Sequence, residues 1–206
     1  MIVIHRAIRQ DLGRLADRVG ANAARGAPAS QDRALRRYTA ALLDQIRTHH
    51  QTEDDIIWPV IAATAGQAVD LTPLTDDHQA IKTAASRVSQ ALASAGAEAD
   101  VHASVSELLD MLEEHIADEE EQVFPAIRRY LPPDACRWCQ QQILRQAAPP
   151  GLRFTAPWLA RYARPDELRR LLAVGGWPAR IVLLATRPGY ARLERRAFAK
   201  SITTEE

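Results

Sequence analysis

The chain has 206 residues, with 26 basic and 26 acidic side chains and only two cysteines. That length buries a core without disulfides, and the cysteine count excludes a disulfide-scaffolded secreted fold. The zero net charge hides an asymmetry: residues 1–150 carry 15 basic and 21 acidic side chains, and residues 151–206 carry 11 and 5.

Apolar residues Ile4, Ile8, Leu12, Leu15 and Val19 recur at three- and four-residue spacing, which predicts a first helix from near the start to about Ala24, ended by Gly26-Ala27-Pro28. Ser30 is the expected cap of a second helix, with Leu35, Leu42, Leu43, Ile46 and Ile57 on its apolar face, running to about Thr64 before Gly66. Pro59 lies inside it and should kink it or open its last turns. Thr72-Pro73 reads as cap and first-turn proline of a third helix reaching about Ser94, stopped by Gly96. Asp100 is the expected cap of a fourth, with Val101, Val105, Leu108, Leu109, Leu112, Ile116 and Phe124 on its apolar face, ending near Tyr130 before Pro132-Pro133. Beyond lie a short helix over Asp134–Gln146, a linker over Ala147–Gly151, and pieces over Pro157–Ala163, Pro165–Val174, Pro178–Thr186 and from Pro188-Gly189 to about Lys200, with Ser201–Glu206 frayed. No segment alternates with the period of a strand. The expected fold is all-α: an antiparallel up-down four-helix bundle over residues 1–131, with a helical C-terminal extension over 132–206 packed on it. No targeting peptide or membrane-length apolar run is apparent, so the expected setting is cytoplasmic.

One pattern occurs twice. His49-His50-Gln51-Thr52-Glu53-Asp54-Asp55-Ile56-Ile57-Trp58-Pro59 aligns without a gap on His115-Ile116-Ala117-Asp118-Glu119-Glu120-Glu121-Gln122-Val123-Phe124-Pro125. Residues four apart share a helix face about 6 Å apart along the axis, so each copy presents an imidazole beside a carboxylate. His5 and His78 stand near the starts of the first and third helices, at the same end of an up-down bundle as the later turns of the second and fourth. Four imidazoles and two carboxylates suit iron, zinc, copper or nickel better than magnesium or calcium. They are too many for one tetrahedral zinc and fit two octahedral irons with shared carboxylates. The Glu-x-x-His pairs of ferritin-like bundles and the HExxH of zinc proteases are absent.

The order His, HxxxE, His, HxxxE resembles the hemerythrin-like (HHE cation-binding) family over roughly residues 1–131. That resemblance implies His5, His49, His78 and His115 as terminal ligands and Glu53 and Glu119 as bridging carboxylates. It implies two iron ions joined by an oxygen bridge, and dioxygen, hydrogen peroxide or nitric oxide as the small ligand, with catalase-like peroxide breakdown the foremost activity. An oxygen or iron sensor without turnover, and a di-iron oxygenase acting on an organic substrate, are the alternatives. Two positions depart from oxygen-carrying hemerythrins: Leu74 stands where they have a second histidine on the third helix, and Glu120 stands behind Glu119 where they have Asp. The pattern is that of the bacterial subgroup with one imidazole fewer, and the extension is similar to that of some actinobacterial members.

Other features read as ordinary. His50 points about 100° away from its neighbour on the helix and is expected at the rim or surface. His102 lies too far from His115 to join a site. Asp76, Asp77, Glu114 and Asp118 are candidate hydrogen-bond acceptors for ligand imidazoles. Trp58 and Phe124 are expected in the core. Cys136 and Cys139 read as two plain thiols, since two cysteines cannot close a tetrahedral zinc site. The basic stretch after Arg187 is expected to dock on the acidic part of the chain. Neither a nucleic-acid partner nor a membrane span is expected, and a homo-dimer is admissible.

Overall fold

The structure, a computed structural model, describes residues 2–25, 32–94, 98–146 and 149–199, and these are almost wholly helical with no strand among them. Helix α1 spans Ile2–Arg25, α2 Arg33–Thr52 and α3 Trp58–Ala65; α4 spans Thr72–Ala93, α5 Glu98–Asp118 and α6 Phe124–Tyr130. A single π-helical turn, Glu53–Ile57, joins α2 to α3, and another, Glu119–Val123, joins α5 to α6. The bundle is therefore α1, α2–α3, α4 and α5–α6. Three further helices follow: α7 (Pro133–Gln146), α8 (Pro149–Tyr162) and α9 (Pro165–Ala197).

The π turns explain what the two prolines do. A proline inside a helix has no N–H to give and its ring collides with the carbonyl four residues back. Pro59 and Pro125 each follow a widened turn in which the preceding residue bonds five back: Trp58 N–H donates to the Glu53 carbonyl and Phe124 N–H to that of Glu119. The helix absorbs proline by inserting a residue rather than by breaking.

Several helix boundaries differ from the sequence reading. Asp32, not Ser30, caps α2, its carboxylate accepting from the N–H groups of Ala34 and Leu35. Ser30, Gly26-Ala27-Pro28 and Gly96 lie outside the described residues. Asp70 accepts from the Thr72 N–H, so Thr72 is the first residue of α4 rather than its cap. Asp100 is inside α5. Gly66 does end α3, at φ +58°, where a side chain would be strained. Of the expected linker, Ala147 and Ala148 lie outside the described residues and Gly151 is helical. The short pieces beyond join into longer helices. Helix α8 runs through Pro157 and α9 through Pro188, whereas the expected break between Val174 and Pro178 is present: at Gly176, φ +65°, α9 is two helices joined across a kink. Ser201–Glu206 lie outside the described residues.

Two apolar clusters divide the interior. The larger joins α1, α2, α4 and α5 and takes in Trp158, Tyr190 and Ala197 from α8 and α9. The smaller, around Ile56, Trp58, Ile61, Leu74, Val123 and Cys139, closes one end. Helix α8 packs on α1 and α9 on α2. Asp11 ties these together. It is fully buried and accepts from the Tyr38 hydroxyl at 2.6 Å, the Trp158 indole N–H at 2.7 Å, the Tyr162 hydroxyl and Arg14. The charge complementarity runs opposite to the expected docking of a basic tail: Arg6 of α1 forms a bidentate pair with Glu167, and Arg14 pairs with Glu194, both acids of the extension. No described helix is long and apolar enough to cross a membrane.

Replacing Asp11 by Ala removes the acceptor shared by four donors and leaves the fully buried Trp158 indole N–H without one. Breaking a buried charged network in this way costs about 3–5 kcal/mol. Urea unfolding of Asp11→Ala is expected to show that loss, with the Trp158 fluorescence shifting toward that of exposed indole; an unchanged midpoint would refute the tie.

Candidate metal centre

Between the two apolar clusters lies a layer of polar side chains with almost nothing to bind to. His5, His49, His50, Glu53, His78, His115 and Glu119 are all buried. The Nε2 atoms of all five histidines and all four oxygens of the two glutamates lack a hydrogen-bond partner. An unsatisfied buried polar group costs about 1–3 kcal/mol, so nine together at one level demand an occupant. The bundle end supplies the positions: His5 from α1, His49 and His50 from α2, His78 from α4, His115 from α5, and each glutamate from the first residue of a π turn.

The donors fall into two groups. Ligand atoms of His5, His49, Glu53 and Glu119 lie within 4.8 Å of one another, as do those of His50, His78 and His115. Each carboxylate straddles the groups. Glu53 Oε1 is 3.4 Å from His49 Nε2, and its Oε2 is 3.8 Å from His78 Nε2. Glu119 Oε2 is 3.3 Å from His5 Nε2, and its Oε1 is 3.6 Å from His115 Nε2. The sequence repeat has thus become a near two-fold arrangement. It extends outward: Glu120 accepts from His5 Nδ1 at 3.1 Å and Asp54, its counterpart, from His78 Nδ1 at 2.8 Å. Those bonds leave each Nε2 lone pair aimed inward. Phe124 stacks on His5 at 5.5 Å and Trp58 on His78 at 6.1 Å; Trp58 is buried in the smaller cluster as expected, whereas Phe124 is half-buried and in neither cluster.

Six of these side chains are those marked by the HxxxE spacing and the two lone histidines. His50 is the correction. It is buried rather than at the rim, stacked on His78 at 4.3 Å with the rings 9° apart and edge-on to His115 at 5.1 Å. The repeat carried the signal, because His50 aligns with Ile116, an apolar-face residue that is fully buried. Of the acids expected to orient imidazoles, Asp77 approaches His115 Nδ1 at 3.4 Å. Asp76, Glu114 and Asp118 make no hydrogen bond to a histidine, while Asp54 and Glu120, not anticipated, do. Leu74 sits in the smaller apolar cluster, His102 is exposed, and Cys136 and Cys139 are free thiols on α7.

The profile of the hemerythrin HHE cation binding domain matches residues 1–127. The chain belongs to the hemerythrin HHE family. No curated protein and no solved structure matches it.

The donor set fits a transition metal: imidazoles and carboxylates without thiolate, as borderline cations such as iron prefer over magnesium or calcium. Burial also fixes the protonation that a cation must overcome. Burial, reinforced by the neighbouring imidazoles, pushes His49 well below the usual histidine range and His50 down to about 2; burial lowers His5 and His115 to about 4 and His78 as well. All five are therefore neutral, with free lone pairs, at pH 7. Burial raises Glu119 to about 8, and burial together with the charge of Glu119 raises Glu53 well above its ordinary value. Without a cation, burial holds the imidazoles of the hemerythrin-family cage neutral and shifts both carboxyls toward the protonated form.

Adding ferrous or cobaltous ion to the metal-free protein at pH 7 in weak buffer is therefore expected to release protons from the glutamates, read with a pH indicator. The release should fade as the pH rises past about 8, where Glu119 is already ionised. Uptake of metal with no proton release at pH 7 would contradict the upward shift of the two carboxyls.

Proposed function

We propose that this hemerythrin-family protein is a non-haem di-iron protein that binds and turns over a small oxidant, hydrogen peroxide foremost and dioxygen or nitric oxide as related ligands. In this reading residues 1–131 form the iron-binding unit and residues 132–206 an extension packed on it. His5 and His49 would hold one iron ion, His78 and His115 the other, with Glu53 and Glu119 available to both. The observation that carries the reading is the pair of carboxylates straddling two groups of buried, unpartnered imidazoles. A bound iron pair would supply Lewis acidity and redox capacity for the conversion of two hydrogen peroxide molecules into one dioxygen and two water molecules.

The protein's own part is geometry and exclusion. Glu120 and Asp54 fix the orientation of His5 and His78. Phe124 and Trp58 keep bulk water from the faces of those rings. With the larger cluster on one side and the smaller on the other, the donors sit in a low-dielectric layer, where electrostatic interactions are strengthened.

A second reading has an observation of its own. A cleft of about 550 Å³ runs between α2 and α4 and reaches His50 and His78, lined by Arg47, Asp54, Gln79 and Lys82 among others. That volume takes a molecule larger than peroxide, which favours an oxygenase acting on an organic substrate.

Iron-loaded protein is expected to hold two irons per chain and to consume hydrogen peroxide with evolution of dioxygen. Glu53→Ala should lose that activity by about 100-fold or more, as removal of a metal-bound group does. Peroxide breakdown unaffected by Glu53→Ala, or protein from iron-rich medium holding only zinc, would overturn the first reading. Dioxygen uptake only on addition of an organic compound that protects Lys82 from acylation would favour the second.

A further inference from the structure

We propose that His50 is itself a metal ligand, binding the ion held by His78 and His115, so that one ion of the pair meets three imidazoles and the other two. The inference rests on the two-ion reading above and goes beyond the six ligands that the repeat supplies.

Three observations converge on it. The ligand atoms of His50, His78 and His115 lie within 4.8 Å of one another, a complete group separate from that of His5, His49 and the glutamates. Its Nε2 is buried and has no hydrogen-bond partner. Its position in the repeat is the inward one occupied by Ile116 in the other copy, where an apolar side chain satisfies the packing without cost. A histidine that only packed would leave a polar nitrogen buried with nothing to accept from or donate to, a penalty that isoleucine avoids. A cation facing Nε2 removes the penalty. The departure from two-fold symmetry then has a chemical meaning. Since Glu53 and Glu119 each turn one oxygen to either group, the third imidazole means that the His5–His49 group would offer an ion one protein donor fewer than the other. The cleft between α2 and α4 ends at His50 and His78, on the side with more protein donors.

The test uses the full-length protein loaded with cobalt(II), comparing the unaltered chain with His50→Cys and His50→Ile. A thiolate placed on the metal gives a sulfur-to-cobalt charge-transfer band in the near ultraviolet. The band is expected in His50→Cys and not in the unaltered chain, which contains Cys136 and Cys139 as its background. His50→Ile, which copies the other half of the repeat, is expected to bind one of two cobalt ions more than about 100-fold more weakly, beyond the range for a residue that only orients a ligand, and to bind the other unchanged. If His50→Ile fails to fold, as judged by helical circular dichroism, the His50→Cys spectrum decides alone. Two ions bound by His50→Ile with unaltered affinity, or no thiolate band in folded His50→Cys, overturn the ligand role while leaving the two-ion reading intact. An unaltered chain that takes up no second cobalt ion overturns both.

Discussion

Nine buried donor atoms with no partner inside the protein set the terms for the rest of this fold. Carboxylates and imidazoles in a layer sealed by apolar clusters lose their hydration, and among the described residues nothing replaces it at the Nε2 atoms and the glutamate oxygens. Burial answers part of that cost by keeping the histidines uncharged and shifting the glutamates toward the protonated form. The remainder is the affinity of the site for a cation, because the same groups that are penalised when alone are relieved when they coordinate. Binding strength and folding stability are therefore two expressions of one imbalance.

The surrounding structure holds that imbalance in place. The π turns carry Glu53 and Glu119 at their first residues and bring the adjacent acids, Asp54 and Glu120, against the outer nitrogens of His78 and His5. Consecutive residues thereby serve the centre from inside and outside. Asp11 ties α8 to α1 and α2 through two tyrosines and a tryptophan, and Tyr38 carries the link on to Tyr190 of α9. Arg6, next in sequence to His5, is clamped by Glu167 and by the Tyr162 carbonyl. The extension is thus mechanically continuous with the first turns of the helix that supplies one imbalanced histidine.

The bundle and six of the seven buried donors were legible because helical periodicity and HxxxE spacing are local properties: one turn decides whether two side chains share a face. His50 was missed by applying that rule to one helix at a time. A single turn places it about 100° from His49, which excludes it from a narrow site, but a centre wide enough for two ions admits both faces of α2. Comparison of the two repeat copies, where His50 meets the inward Ile116, held the information that the wheel did not. The C-terminal pieces were misread for a different reason. Pro157 and Pro188 each argue for a break, and helix runs through both, whereas the break expected between Val174 and Pro178 is present as the kink at Gly176. Whether a helix bends around a proline is decided by what it packs on, here α1 and α2, and that is not local.

X-ray absorption at the iron edge of the loaded, full-length protein tests the central claim most directly. The account expects a nitrogen and oxygen shell with imidazole outer scattering, no sulfur, and an iron–iron vector short enough for shared carboxylates. Isolated iron with a sulfur or all-water shell and no second metal nearby would contradict it.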